Sequence, residues 1–215
     1  MAHQRWKEIF ARHPNKIRFF RAVRSYTARR LKPGMQLLDI ASNDFRYAPL
    51  FPGVRYIGAD INAKSLAKGT AKFPDSEHLP VCCGAAQLPF GNAAFDIVVS
   101  THTLVHLADL DEFTTAVGEL VRVLRADGDL ILGMTDRPAK TKVILATIGG
   151  QFSRITHVHY RRSLVAWWES RVVIKAMTGK RPILSGLLSA IGPLIYAADI
   201  FGPATYTLYV CEGKA

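Results

Sequence analysis

Residues 35–60 read MQLLDIASNDFRYAPLFPGVRYIGAD, and this stretch decides the fold. It contains two short apolar runs, residues 35–40 and 54–59, and each run leads into a polar turn. Short apolar runs bounded by turn residues are typical of strands that are buried on both faces of a parallel sheet. The stretch therefore predicts two neighbouring buried strands joined by a crossover.

The same pattern continues downstream. Apolar runs at residues 95–100 and 130–134 predict two more strands. Between them, residues 111–124 carry Phe113, Val117 and Leu120 on one face at helical spacing. Because strands alternate with helices, the sequence predicts an α/β fold with a doubly wound, mostly parallel sheet.

The flanking segments give further predictions. Residues 5–31 show helical spacing interrupted by Pro14, which predicts two short basic helices. After residue 134 we expect a loop and helix within 135–150 and a final strand at 205–211. The intervening segment predicts a helix at 162–168, a strand at 171–176 and a strongly apolar stretch at 183–201 that favours a lid or core helix over a membrane span.

Two aspartates mark the candidate site. Asp39 lies at the end of the first predicted strand, and Asp60 lies 21 residues later at the end of the second. In open α/β sheets, ligands bind at the carboxyl ends of the strands, and an acid at this spacing can accept hydrogen bonds from the two ribose hydroxyls. The alternative for Asp60 is a helix cap before residues 61–69.

Four segments, in order, resemble the class I S-adenosylmethionine-dependent methyltransferases, particularly the type-11 group. LLDIASNDFRYAPLF resembles the first motif and YIGADIN the ribose-binding strand end. AAQLPFGNAAFDIVVSTHTLVHLAD and ELVRVLRADGDLILGM resemble the third and fourth segments, with Ala126, Asp127 and Gly128 in the turn of the fourth. The chain departs from the family in its first motif, where Ala41, Asn43 and Phe45 stand at the three glycine positions.

The resemblance implies a seven-stranded Rossmann-like sheet with N-terminal helices, a helical insertion before the last strand and S-adenosylmethionine as cofactor. It implies a single domain over residues 1–215, with a basic N-terminal part at 1–32, a cofactor-binding core at 35–134 and an acceptor side at 135–215. The implied cofactor-binding residues lie at the ends of the first four strands: Asp39, Ala41, Ser42, Asn43, Asp60, Ile61, Ala85, Ala86 and Thr101. Gly84 replaces the acid that often meets the adenine amino group, so backbone groups and apolar walls are expected to hold adenine.

The candidate catalytic residues are histidines, because imidazole is a common general base near neutral pH. His106 matches the family's histidine after the fourth strand, and His157 and His159 lie beside a basic stretch. The expected reaction is methyl transfer to a hydroxyl of a small-molecule, lipid-linked or glycan-type acceptor. Neither a metal cluster nor a covalent nucleophile is expected.

The formal charge of +11 calls for an anionic partner to be considered. Residues 1–32 hold ten lysines and arginines and a single acid, Glu8. This local excess favours a solvated or substrate-capping face over a nucleic-acid surface, and the arginines interleaved with aromatic residues also fit peripheral contact with an anionic membrane. The three cysteines lack metal-ligand spacing, which favours reduced thiols and a cytoplasmic protein.

Two alternatives stay open from the sequence, an RNA methyltransferase and a non-catalytic binding or scaffold protein. The charge favours the first, although no aromatic RNA-binding motif is present. The missing glycines favour the second. A nicotinamide enzyme is disfavoured because no GxGxxG follows the first strand. A homo-oligomer is compatible with the sequence.

Overall fold

The computed structural model describes residues 17–74, 78–161 and 204–215, which form an α/β fold around a seven-stranded sheet. The strand order is β3-β2-β1-β4-β5-β7-β6. The strands are β1 (Gln36–Ile40), β2 (Arg55–Asp60), β3 (Leu79–Cys82), β4 (Phe95–Thr101), β5 (Leu124–Thr135), β6 (Phe152–Arg161) and β7 (Ala204–Lys214). The helices described are α1 (Ile17–Arg30), α2 (Ala63–Lys72), α3 (Leu110–Arg122) and α4 (Pro138–Ile148), with 3-10 turns at Ala48–Leu50 and Leu104–His106.

The first five strands form the parallel part of the sheet. Strand β1 pairs in parallel with β2 and β4, β2 pairs with β3, and β4 pairs with β5. Ile40 is opposite Ala59 on one side and Ser100 on the other. The loops that follow β1, β2 and β4 therefore leave the same edge of the sheet, where the candidate site was predicted.

Strand β7 runs opposite to β5 and β6. Its last residues contact the beginnings of both strands, because Gly213 N–H donates to Asp129 and Ser153 Oγ donates to the Glu212 carbonyl. Its first residues contact the end of β5, where Thr207 donates to Asp136 across 2.7 Å. The sheet is therefore mostly parallel, as predicted.

The sequence placed most elements correctly. Strands β1, β2, β4 and β7 and helices α1, α3 and α4 all lie within a few residues of the predictions. Strand β5 was predicted too short, since it begins at Leu124 rather than at residue 130. The predicted turn around Asp127 is a bulge inside the strand, because the register with β4 shifts between the pairs Phe95–Leu124 and Ile97–Asp129.

Helix α3 shows how the core forms. Its N-cap, Asp109, accepts hydrogen bonds from the backbone N–H groups of Asp111 and Glu112. The face predicted from the 3.6-residue period is fully buried, with Phe113, Val117 and Leu120 all 0% exposed. This face packs in the core cluster with buried residues of β1, β4 and β5.

The chain divides into two compact units, Arg21–Val158 with Thr207–Ala215, and Met1–Phe20 with His159–Tyr206. Most of the second unit, including the predicted elements at 5–13, 162–168, 171–176 and 183–201, lies outside the described residues. The single-domain arrangement stays a prediction. Among the helices that are described, none has the length and apolar character to cross a bilayer.

Candidate cofactor site

Asp60 lies at the tip of β2 and joins two loops. Its Oδ2 accepts a hydrogen bond from the Asn43 backbone N–H across 2.9 Å, and its Oδ1 accepts one from the Asn62 N–H across 2.8 Å. The alternative that Asp60 caps α2 is wrong, because Asn62 is the N-cap and its side chain accepts from Ser65 N–H. Each carboxylate oxygen can accept a second hydrogen bond, which leaves Asp60 able to bind a diol.

The loop after β1 keeps a glycine-like path without glycine. Ala41, Asn43 and Phe45 have φ angles of 59°, 53° and 55°. Asparagine tolerates this left-handed region better than most residues, whereas for other non-glycine residues it costs roughly 1–2 kcal/mol. The three alternating positions are those at which the family pattern has glycine, so the backbone conformation survives the sequence change.

Phe45 is fully buried, and its burial offsets the backbone strain. Its ring packs edge-on against Tyr56 and His78, with ring centroids 5.8 and 5.7 Å apart. It also fills the space beside Gly58 and Gly69, where an added Cβ would lie 2.6 and 2.9 Å from ring atoms. Burying a phenylalanine side chain contributes about 1.5–3 kcal/mol, and each aromatic pair about 0.5–1.5 kcal/mol more. These gains exceed the cost of one left-handed residue.

Asp39 lies beneath this loop rather than on its surface. It is 1% exposed, and the Tyr56 hydroxyl donates to its carboxylate. Burial raises the pKa of Asp39 to about 7, partly offset by the Tyr56 hydrogen bond, and the charge of Asp60 adds to the rise. The same buried pairing raises the pKa of Tyr56. The buried pair of Asp39 and Tyr56 therefore has a structural role next to the loop after β1.

An exposed apolar side chain lies next to Asp60. Ile61 is 79% exposed, the highest value among the described large apolar residues that stand out at the surface. The chain after β3 returns to this edge, because Cys83 N–H donates to the Asp60 carbonyl across 3.2 Å. Ala85 and Ala86 are half-buried, and no atom lies within 4 Å of where a Cβ on Gly84 would be. The surface beside Gly84 is therefore open.

Two buried hydroxyls stand at the ends of β1 and β4. The Oγ of Ser42 and the Oγ1 of Thr101 are buried and have no hydrogen-bond partner within the described residues. A buried polar atom left unpaired costs free energy, and functional sites are where such atoms recur. Both hydroxyls belong to the predicted cofactor-binding set.

The loop after β4 carries His106, which is exposed at the end of the 3-10 turn Leu104–His106. The buried side chain of Lys140 on α4 fixes this turn by donating to the carbonyls of Val105 and Leu107. Its ammonium also lies 5.0 Å from the centre of the Phe113 ring. Desolvation lowers the pKa of Lys140, and the nearby Arg137 lowers it further.

His157 and His159 lie on β6, the edge strand, separated from β1 by β4, β5 and β7. Neighbouring strands are about 4.8 Å apart, so the strand order puts the His157 backbone roughly 19 Å from β1. The ring of His157 packs on Tyr209, with centroids 5.1 Å apart. The structure therefore places His106, but not His157, beside the strands that carry the cofactor-binding set. The catalytic role of each histidine stays a prediction.

Three residues of this site were not singled out from the sequence: Tyr56, His78 and Lys140. The hydrogen bonds of Tyr56 and Lys140 join distant residues, since Tyr56 donates to Asp39, 17 residues away, and Lys140 to Val105 and Leu107, 35 and 33 residues away. A tyrosine inside the apolar run of β2 was the one available signal, because a buried hydroxyl needs a partner.

S-adenosylmethionine fits the donor set of this edge. Asp60 suits the ribose diol and Ile61 suits a face of adenine, while the buried Ser42 hydroxyl lies next to Gly58 of β2. Within the described ranges, no group of three or more histidine, cysteine, aspartate or glutamate residues has the arrangement of a metal site. The pattern of polar groups is that of an organic cofactor with a ribose.

Comparison with known proteins gives one family match and many similar structures. Residues 38–132 match the family model described as a methyltransferase domain. No curated protein sequence matches the chain. Among solved structures, the geranyl diphosphate C-methyltransferase of Streptomyces coelicolor A3(2), crystallised with S-adenosyl-L-homocysteine, is 16% identical with a TM-score of 0.60; the match covers 89% of this chain and 78% of that chain.

Two further structures show how widely this fold is used. The N-methyltransferase NodS of Bradyrhizobium japonicum WM9 is 12% identical, with a TM-score of 0.62 and coverage of 94% of this chain and 98% of that chain. The [4+2]-cyclase SpnF is 17% identical, with a TM-score of 0.61 and coverage of 90% and 80%. Identities this low show the fold alone. The family match covers residues 38–132, which is less than half of the chain, and the similar structures share its α/β fold.

Proposed function

We propose that this protein transfers the methyl group of S-adenosylmethionine to a hydroxyl of a small-molecule, lipid-linked or glycan-type acceptor. The observation that carries the proposal is the position of Asp60, whose carboxylate is fixed by the N–H groups of Asn43 and Asn62 at the carboxyl edge of the sheet. An acid held in this way accepts the ribose hydroxyls without having to reorganise. Ile61 beside it supplies the apolar wall.

The cofactor supplies an activated methyl group on a sulfonium, so the chain's own residues need to align the acceptor, exclude water and accept a proton. His106 is the residue we assign to the proton, because it is exposed and follows β4 at the same sheet edge. Lys140 holds the carbonyls on either side of His106 and so fixes the loop that carries it.

A small acceptor is supported by the sequence of the acceptor side and by the similar structures. Residues 183–201 are strongly apolar, which suits an oily acceptor. Two similar structures hold geranyl diphosphate and phosphomonomethylethanolamine as bound small molecules. Those enzymes methylate carbon and nitrogen, so the hydroxyl preference is the part of the proposal that most needs a test.

The test is methyl transfer from S-adenosylmethionine labelled on the methyl group. Purified protein is incubated with matched panels of hydroxyl and amine acceptors, each with short and long alkyl chains, and with total RNA. The proposal expects label in hydroxyl acceptors and a roughly 10²-fold lower rate for His106→Ala, the usual contribution of a general base. Lys142→Ala, on the exposed face of α4, serves as the control and keeps its rate. Label found in amines or RNA alone, or a full rate for His106→Ala, contradicts the proposal.

A further inference from the structure

We propose that Phe45 is a positioning residue for the cofactor: its buried ring replaces the missing loop glycines by holding the Asn43 N–H against the Asp60 carboxylate. This inference rests on the proposed function for its effect on cofactor binding. The claim that the Phe45 ring holds the Asn43 N–H against Asp60 does not depend on cofactor binding and is tested separately.

The loop after β1 has a backbone conformation that is unusual for its residues. Three alternating residues, Ala41, Asn43 and Phe45, adopt left-handed φ angles between 53° and 59°. Alanine and phenylalanine leave this region readily, because their Cβ atoms crowd the backbone there. Some tertiary contact must therefore hold the loop in this conformation.

The contacts of the Phe45 ring hold the loop in this conformation. The ring of Phe45 lies between strand β2 and helix α2, and both present a glycine to it. A Cβ at Gly58 would lie 2.6 Å from Cδ1 of the ring, and a Cβ at Gly69 would lie 2.9 Å from Cγ and Cδ2. Side-chain carbons do not approach so closely, so both positions must lack a side chain for the ring to fit. In this chain the glycines therefore stand in the walls of the pocket that receives Phe45 and not in the loop itself.

The loop after β1 also links the Phe45 ring to Asp60. Phe45 is two residues after Asn43, whose N–H donates to Asp60 Oδ2. Asp44, between them, also binds Lys72 at the end of α2 across 3.2 Å. When the Phe45 ring occupies its pocket, the Asn43 N–H is directed at the Asp60 carboxylate. When the pocket is empty, the loop is free to take ordinary negative φ angles and this donor is lost.

The test compares Phe45→Ala and Phe45→Leu with Phe113→Ala, which truncates an equally buried phenylalanine in α3. Amide hydrogen exchange is followed by NMR at Asn43 and Asn62, which both donate to Asp60. We expect Phe45→Ala to lower the protection of the Asn43 amide at least 10-fold while Asn62 keeps its protection, with Phe45→Leu intermediate. Phe113→Ala should leave the ratio of the two amides unchanged.

Affinity for S-adenosylhomocysteine is measured on the same variants by calorimetry, at a temperature at which each is folded. Phe45→Ala should weaken binding at least 10-fold and Phe113→Ala less than 2-fold. Gly69→Ala tests the pocket from its other wall and should also weaken binding, but by less than 2-fold when added to Phe45→Ala. If Phe45→Ala leaves the protection of the Asn43 amide unchanged, the Phe45 ring does not hold the loop. If it leaves the affinity for S-adenosylhomocysteine unchanged, Phe45 does not position the cofactor. If the unaltered protein binds no cofactor, the proposed function fails and the amide result still decides the role of Phe45.

Discussion

The Arg30 guanidinium donates two hydrogen bonds to the Asp129 carboxylate, with Nε and Nη2 each 3.0 Å from one of its oxygens. Asp129 is 1% exposed and also accepts from the Tyr26 hydroxyl and the Gly213 N–H, each across 2.8 Å. One buried carboxylate thereby ties α1, β5 and β7 together. Two arginines of the basic N-terminal region are used within the fold, because Arg29 also pairs with Glu212 across 2.7 Å.

Replacing Asp129 by alanine should destabilise the protein strongly. The change leaves the hydroxyl of Tyr26 and the N–H of Gly213 without their acceptor, and removing one partner of a buried charge pair costs about 3–5 kcal/mol. Because the Arg30 side chain is 38% exposed, water screens part of this pair, and we expect about 2–4 kcal/mol. Tyr26→Phe should cost about 1–2 kcal/mol. Urea denaturation measures both, with exposed Arg24→Ala as a control that should stay within about 0.5 kcal/mol.

The pKa of Asp39 predicts a pH dependence of stability. With a folded pKa of about 7 and an ordinary value near 4, the unfolded chain releases this proton first as the pH rises. The free energy of unfolding should therefore decrease from about pH 4 to pH 7, and this contribution should be constant above pH 7.

Asp39→Asn removes this titration and lets the residue still accept from Tyr56. We expect the variant to show a flatter stability profile between pH 4 and 7 and a higher stability than the unaltered protein at pH 8. Denaturation at several pH values measures this, with Asp44→Asn in the same loop as control. A parallel pair of profiles for Asp39→Asn and the unaltered protein would show that Asp39 titrates normally.

Lys140 predicts a stability difference between two lysines of one helix. Lys140→Met keeps the alkyl chain but removes the donor to the Val105 and Leu107 carbonyls, which should cost about 1–3 kcal/mol. Lys142→Met, on the exposed face of α4, should change stability by less than about 0.5 kcal/mol. Limited proteolysis between residues 101 and 109 should be faster only for Lys140→Met. Equal cleavage of both variants would mean that Lys140 does not fix this loop.

Binding to anionic vesicles tests the proposed peripheral membrane contact. Sedimentation with phosphatidylglycerol vesicles should retain the protein at low salt and release it as the ionic strength rises. Arg24→Glu combined with Lys32→Glu should reduce retention several-fold, while Lys142→Glu should not. Retention on RNA but not on vesicles would favour RNA as the partner. Retention on neither would contradict the predicted membrane contact.

The sequence predicted the parallel strands and Asp60 because those features are local. An apolar run of six residues such as 35–40 fits a buried strand wherever it is placed, and an aspartate at the end of such a run lies at the sheet edge. The sequence left a helix cap open as the alternative role of Asp60, because aspartate and asparagine are both good caps, and the geometry gives that role to Asn62.

Other features depend on distant contacts and could not be predicted. Phe45 looked incompatible with the glycine pattern, because its pocket is made by Gly58 and Gly69, which come 13 and 24 residues later in the chain. The buried charges of Asp129 and Lys140 have partners as many as 103 and 35 residues away. No local pattern relates such residues, so their pairing appears only once the chain is folded.

Calorimetric titration with S-adenosylmethionine and S-adenosylhomocysteine measures whether the glycine-free loop and Asp60 bind the cofactor. We expect one site per chain in the unaltered protein and at least a 10²-fold loss of affinity for Asp60→Ala, with Asp44→Ala weakened less than 5-fold. No heat of binding at millimolar ligand, or the same affinity for Asp60→Ala as for the unaltered protein, would contradict this expectation.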